Sequence, residues 1–207
     1  MTTTPTGGGG KRAIDLLIAI PATVLLAPVM ALVALTVRAA FGRPVLFRHT
    51  RPGWRGQPFE LLKFRTMTSD RGADGRLLPD AQRLTPVGRL LRRTSVDELP
   101  ELFNVLRGEM SLVGPRPLLM AYLDRYEPWQ ARRHEARPGI TGLAQVRGRN
   151  QLDWNEKFTL DVWYVDHWSV ALDLKILGLT LWTVCRGEGI HQPDRATADE
   201  FKGSAGR

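Results

Sequence analysis

The chain has 207 residues, a length suited to one domain with a sizeable core and too short for two large ones. Its 29 Lys and Arg exceed its 21 Asp and Glu, and the formal charge of +8 favours an acidic partner such as nucleic acid, a nucleotide or an anionic membrane surface, without choosing among them. The single Cys185 excludes an intramolecular disulfide and, with four scattered histidines, makes no convincing zinc cluster, which fits a reducing, cytosol-facing protein.

Residues 1–10, with glycines from Gly7 to Gly10, read as a flexible leader, and residues 11–43 as a membrane helix. From Leu16 to Val37 there is no charge over roughly 22 residues, about 33 Å of helix at ~1.5 Å per residue, enough to cross a bilayer core. The run is too long for a cleaved signal peptide, and Arg38 and Arg43 follow at once. Pro21 and Pro28 each remove a helix donor and crowd the carbonyls of Leu17 and Val24, so one or both are expected to bend the helix. Lys11 and Arg12 precede the run, and Arg38, Arg43, Arg48 and Arg51 follow it, so the positive-inside tendency pulls both ends to the cytoplasmic face. A helix that enters the inner leaflet, bends and returns satisfies that pull; an ordinary kinked span remains open on these grounds.

Residues 44–186 form the expected cytosolic domain. Pro44 to His49 and Pro58 to Met67 read as strands around the stretch TRPGWRGQ, with the turn placed at Arg51-Pro52-Gly53. Lys63 and Arg65 are two apart and share a face suited to an anion, although a solvated basic strand gives the same pattern. SDRGADGRL, Ser69 to Leu77, is a polar loop. Thr85-Pro86 starts a helix whose apolar face holds Val87, Leu90 and Leu91, with Arg89, Arg92 and Arg93 around it.

The segment TSVDELPEL follows, with two adjacent carboxylates, Asp97 and Glu98. The ordinary reading is a capping box between Ser95 and Glu98, with Asp97 complementing the helix dipole. Leu99, Leu102, Phe103 and Leu106 recur at helical spacing, and Pro100 is tolerable only near the start, so both acids sit at an amino end able to bind an anion. In SLVGPRPL, Arg116 is held between Pro115 and Pro117, which presents a forked, permanently charged donor to phosphate; an exposed arginine in a proline-rich connector is the alternative. RPGITGLAQVRGRN, Arg137 to Asn150, lacks a Walker ending and is either a loop that wraps a nucleotide or a plain surface loop. Trp163, Trp168 and Trp182 fit a membrane-interface belt or a core equally well, and residues 187–207 read as a loose polar tail.

The strings KRAIDLL, RPG, KFRTM, SVDELPELFNVLRGEMSLVGPRPL, RPGITGLAQVRGRN and LDVWYVDHWS, in this order from about Lys11 to Val184, resemble the bacterial sugar transferase family, the monotopic polyprenol-phosphate phosphoglycosyl transferases, in a minimal form. The resemblance implies an α+β, mostly helical fold with an N-terminal re-entrant membrane helix, a small β-hairpin and amphipathic interfacial helices. It implies Asp97 as nucleophile, Glu98 as ligand for Mg²⁺, and Lys63, Arg92, Arg116 and Arg149 as residues that handle phosphate or nucleotide. The family's helix break is a Ser-Pro pair, where this chain has Ala27-Pro28, so Pro28 must act without the serine hydroxyl, and Pro21 is an added departure.

The implied substrates are a nucleoside diphosphate sugar, expected to be UDP-linked, and polyprenyl phosphate in the inner leaflet of a bacterial inner membrane. A carboxylate attacking the phosphorus beside the sugar expels nucleoside monophosphate, and the lipid phosphate then displaces the carboxylate. The reading of another class is a membrane-attached basic module that binds nucleic acid or acidic lipid without catalysis. Cations dispersed among apolar faces, with no base-reading motif, argue against nucleic acid.

Overall fold

The computed structural model describes residues 6–148, 152–186 and 200–203. The uncharged N-terminal run forms one long helix, α1 (Gly8–Phe41), which starts at Gly8, inside the stretch expected to be a flexible leader. Among the described residues it is the one helix long and apolar enough to cross a membrane. Strand β1 (Leu46–Pro52) then pairs antiparallel with β2 (Pro58–Phe64), in register from Leu46 opposite Phe64 to Pro52 opposite Pro58. The reversal lies one step later than Arg51-Pro52-Gly53: Arg51 and Pro52 end the strand, and a single 3-10 turn at Trp54–Gly56, with Arg55 at φ 56° and Gly56 at φ 72°, reverses the chain. Pro52 is tolerated there because it closes the ladder.

Short helices α2 (Asp80–Arg83) and α3 (Pro86–Arg93) follow, and the Thr85 hydroxyl accepts from the Gly88 amide as its position before Pro86 predicts. Next come α4 (Glu101–Arg107), ended by Gly108 at φ 83°, and β3 (Ser111–Val113). Then α5 (Pro128–Ala131), β4 (Gly139–Thr141), α6 (Leu143–Arg147), α7 (Trp154–Asp166) and α8 (Val170–Arg186) complete the order. Strands β3 and β4 pair in parallel. The fold is α+β and mostly helical.

Both parts of α1 pack on the same body. Near its start, Lys11 Nζ donates to Asp173 on α8 at 2.6 Å, Arg12 donates to the Val105 and Leu106 carbonyls that end α4, and Asp15 accepts from the Ser111 hydroxyl and Leu112 amide of β3. Ala19 joins the main core of Leu61, Leu102, Val105, Met110, Tyr164 and Ile176. Beyond Pro28, Met30, Val33 and Val37 join a second cluster with Phe64 of β2 and Leu91 of α3. The helix continues through Pro21 and Pro28 with no break in secondary structure at Pro28, the position where burial passes from the first cluster to the second. The opposite face of α1 is apolar and open, with Leu17, Val24, Leu25, Leu32 and Leu35 each more than 60% exposed.

A third cluster is aromatic. Tyr122, Tyr126, Trp154 and Phe158 surround Phe201, which is 3% exposed, while Arg125 donates to Glu200 and to the Phe201 carbonyl. The stretch read as a loose polar tail is therefore anchored at this point by its one aromatic residue. The tryptophans divide: Trp168 donates to buried Asp173, whereas Trp163 and Trp182 remain open to solvent.

Candidate active site

The two acids sit in a 3-10 turn, Val96–Glu98, between α3 and α4. Ser95 enters it at φ 56° and makes no side-chain cap, so the capping box expected from Ser95 and Glu98 does not form. The left-handed Ser95 turns the acids away from the helix start and toward β2. Glu98 Oε1 instead accepts from Lys63 Nζ at 2.5 Å and from the Arg116 guanidinium at 2.8 Å. Lys63 also pairs with Glu101 at 3.1 Å. Asp97 is buried at 8% exposure, yet its carboxylate has no hydrogen bond or ion pair among the described residues.

These contacts separate three carboxyl groups chemically. Burial, reinforced by the charge on Glu98 and opposed by Lys63, Arg92 and Arg116, pushes Asp97 up to about 6. Burial also works to raise Glu98, but Lys63 and Arg116 outweigh it and hold that carboxylate below its ordinary range. Glu101 is pushed up to about 7, chiefly by burial, with Lys63 opposing. Lys63 itself is raised, because Glu98 and Glu101 together overcome the cost of burying its charge.

The cations reach this cluster on separate elements. Lys63 stands on β2. Arg92 is delivered by an unusually close approach of α3: a Cβ on Gly88 would lie 1.8 Å from the Thr66 carbonyl oxygen, and this contact lets Arg92 Nε donate to Thr66 Oγ1 at 3.0 Å. Arg116 follows β3, and its loop crosses the one before β4 backbone to backbone, since a Cβ on Gly114 would lie 2.3 Å from the Arg137 carbonyl oxygen. The glycines of RPGITG serve this buried crossing, and the segment is neither a plain surface loop nor, over 137–142, a free nucleotide wrap. Arg133 fixes the loop from behind, donating to the Arg116 carbonyl at 2.8 Å and pairing with buried Asp161 at 2.7 Å.

The structure brings Asp97, Glu98, Lys63 and Arg116 together and sets Arg92 close enough to act on Asp97. Arg149 lies outside the described residues. Arg65 does not share the site with Lys63: β2 ends at Phe64, and the Arg65 guanidinium donates to the Phe41, Arg43 and Pro44 carbonyls, tying down the exit from α1. Glu101 and the Arg133–Asp161 pair went unread in the sequence. Glu101 carried a signal, standing one helical turn beyond Glu98, whereas Arg133 is hidden in the exposed-looking run ARRHE.

Among the described residues no three acidic, histidine or cysteine side chains converge into an all-protein metal cage. The donor set still fits Mg²⁺, which is commonly held by one or two carboxylates with substrate phosphates completing its shell. Glu98 and Asp97 offer adjacent hard oxygens for that purpose.

Residues 8–187 match the family model for bacterial sugar transferases. The chain belongs to that family. It is 55% identical over 194 residues to the uncharacterized sugar transferase EpsL of Bacillus subtilis (strain 168), covering 94% of this chain and 96% of that one. It is 39% identical to the exopolysaccharide production protein ExoY of Sinorhizobium fredii (strain NBRC 101917 / NGR234), over 89% of each chain. It is also 46% identical over 179 residues to the UDP-glucose:undecaprenyl-phosphate glucose-1-phosphate transferase of Caulobacter vibrioides (strain ATCC 19089 / CIP 103742 / CB 15), covering 81% of this chain and 66% of that protein.

Proposed function

We propose that this sugar transferase moves a sugar 1-phosphate from a UDP-linked sugar to polyprenyl phosphate through a covalent sugar-phosphate ester on Asp97. The observation that carries the reading is a buried carboxylate, without a hydrogen-bond or ion-pair partner among the described residues, beside a neighbour, Glu98, held ionised by Lys63 and Arg116. An Asp97 oxygen attacks the phosphorus beside the sugar, and the bond from that phosphorus to the bridging oxygen breaks. The electron pair leaves with the nucleoside monophosphate. An oxygen of polyprenyl phosphate then attacks the same phosphorus, frees the Asp97 carboxylate, and forms the diphosphate-linked lipid. The relatives named for transfer of glucose 1-phosphate to undecaprenyl phosphate support this class of substrates.

Phosphoryl transfer depends on positioning and on neutralising charge. Lys63, Arg92 and Arg116 come from three elements and converge on the acids, which lowers the barrier to bringing an anionic diphosphate against an anionic nucleophile. When bound on Glu98, Mg²⁺ supplies further charge neutralisation to the phosphates. The raised proton affinity of Asp97 fits a nucleophile kept from pairing with its cations before substrate arrives.

The lipid substrate dictates where this chemistry happens. Both parts of α1 dock on the body that carries Asp97, which supports a helix that keeps both ends on one side of the bilayer. Its open face, Leu17 to Leu35, is proposed to enter the inner leaflet, with the leader and the catalytic domain both cytoplasmic. The deciding assay incubates the full chain in detergent with a panel of nucleotide sugars, undecaprenyl phosphate and Mg²⁺. Release of nucleoside monophosphate and a labelled protein adduct lost in Asp97→Asn are expected. No turnover with any donor, together with salt-sensitive nucleic-acid binding, would return the chain to the basic-module reading.

A further inference from the structure

The hairpin carries a second cation on the face that presents Lys63. Antiparallel partners share a face, so the pairing of Phe47 with Lys63, His49 with Leu61 and Arg51 with Phe59 puts Arg51 on the Lys63 side. Arg51 is half-buried, its Nε is enclosed without a partner, and its guanidinium makes no hydrogen bond or ion pair among the described residues. The next residue, Pro52, lines one small recess with Pro115, Arg116, Pro117 and His134, so the end of β1 abuts the loop that presents Arg116. Burial, then the charge on Arg116, weigh against the Arg51 charge, while Tyr122 and Glu101 favour it. A half-buried guanidinium beside another, with no carboxylate paired to it among the described residues, is a cost to the folded chain that an incoming anion removes.

The reaction says which anion fits. Arg116 acts on both Asp97 and Arg51, whereas the principal charges on Asp97 are Glu98, Lys63, Arg92 and Arg116. On the hairpin, Arg51 stands opposite Phe59, four residues along β2 from Lys63, and Pro52 beside it reaches the Arg116 loop, so Arg51 lies away from the Lys63 and Glu98 pair and next to Arg116. In an in-line displacement the leaving group departs on the side opposite the attack. With Asp97 at the phosphorus beside the sugar, the nucleoside-side phosphate leaves on the side away from Asp97, and Arg51 is a cation on the Lys63 face, beside the Arg116 loop, that can receive it.

We propose that Arg51 binds the nucleoside-side phosphate of the donor and, with Arg116, takes up the charge that the departing nucleoside monophosphate acquires. This rests on the function proposed above. The test uses the full chain in detergent, wild type beside Arg51→Gln and Arg51→Lys, with Arg48→Gln as control because Arg48 stands on the other face against Glu60. UMP binding is measured by calorimetric titration and, separately, KM is measured for the donor and for undecaprenyl phosphate. Arg51→Gln is expected to weaken UMP binding and raise the donor KM by about tenfold or more, leaving the lipid KM unchanged. Arg51→Lys, which keeps charge and loses the fork, is expected to fall between. Unchanged UMP affinity, or an effect confined to the lipid KM, overturns the assignment to the donor. Should Arg51→Gln not fold, as read by its melting curve, Arg51→Lys is judged by the same two measurements. A wild type that turns over no donor defeats the function reading, while an active wild type with unaltered Arg51 variants defeats this inference alone.

Discussion

Two clusters of charge in this protein are built to opposite rules. At the base of α1, Asp173 accepts from Lys11 at 2.6 Å, from the Tyr164 hydroxyl at 2.7 Å and from Trp168 at 3.0 Å. At the candidate site, Asp97 has no partner among the described residues, Glu98 has two on one oxygen, and Arg51 has none. Saturation of Asp173 marks a structural anchor, because lifting α1 would strip Lys11 from a buried carboxylate that Tyr164 and Trp168 hold in place. Incomplete pairing marks a place where a ligand finishes the electrostatics, and that contrast can be broken by mutation.

The largest effect is expected at Asp97. Asp97→Asn should lower product formation by at least ~10³-fold while its melting temperature stays equal to or above that of the wild type, since a neutral amide replaces a buried carboxylate that has no partner among the described residues. An asparagine variant that keeps most of its turnover would falsify the nucleophile assignment. At the anchor the expectation reverses. Asp173→Ala strands Lys11 in the core and should cost about 3–5 kcal/mol of stability, read by thermal melting, with the donor KM of the folded fraction unchanged.

Arg116→Lys keeps the charge but not the fork, and its kcat/KM should drop by about tenfold or more, against little change for Arg93→Lys on the exposed side of α3. Comparable small losses in both would return the GPRP segment to a connector. The smallest effect concerns pH in the metal-free protein. Glu101 is held at about 7 in the fold, above its ordinary value of 4.5, so the stability it contributes is present below pH 4.5 and is lost as the pH rises through 7. Glu101→Gln mimics the protonated form. In the presence of a chelator its melting temperature, relative to wild type, should therefore be higher at pH 8 than at pH 5.5, and an equal difference at both would show that Glu101 does not titrate there.

The sequence carried much of this because the decisive features are local. An uncharged run of apolar residues declares a membrane-seeking helix, Thr85-Pro86 declares a cap, and Pro58 to Met67 reads as a strand, which forms over Pro58–Phe64. Asp97 and Glu98 were legible as a pair, but that Glu98 pairs with Lys63 and Arg116 instead of capping depends on residues 35 and 18 positions away. Arg65 misled because its period-2 relation to Lys63 holds only while the strand lasts, and the strand stops at Phe64. Phe201 gave no local signal at all: one aromatic in a polar stretch becomes an anchor only where four others have already gathered.

The glycine crossing behind Arg116 also sets how this enzyme can vary. A methyl group at Gly114, Gly139 or Gly142 would meet backbone of the opposing loop at 2.3, 2.1 and 2.2 Å respectively, so no single substitution there can be absorbed by a side-chain rotation. Both loops would have to move at once, and with them the arginine they present. In a library of random variants these three positions should come through selection unchanged, and altered donor preference should arise from side chains around the crossing, never from the crossing itself.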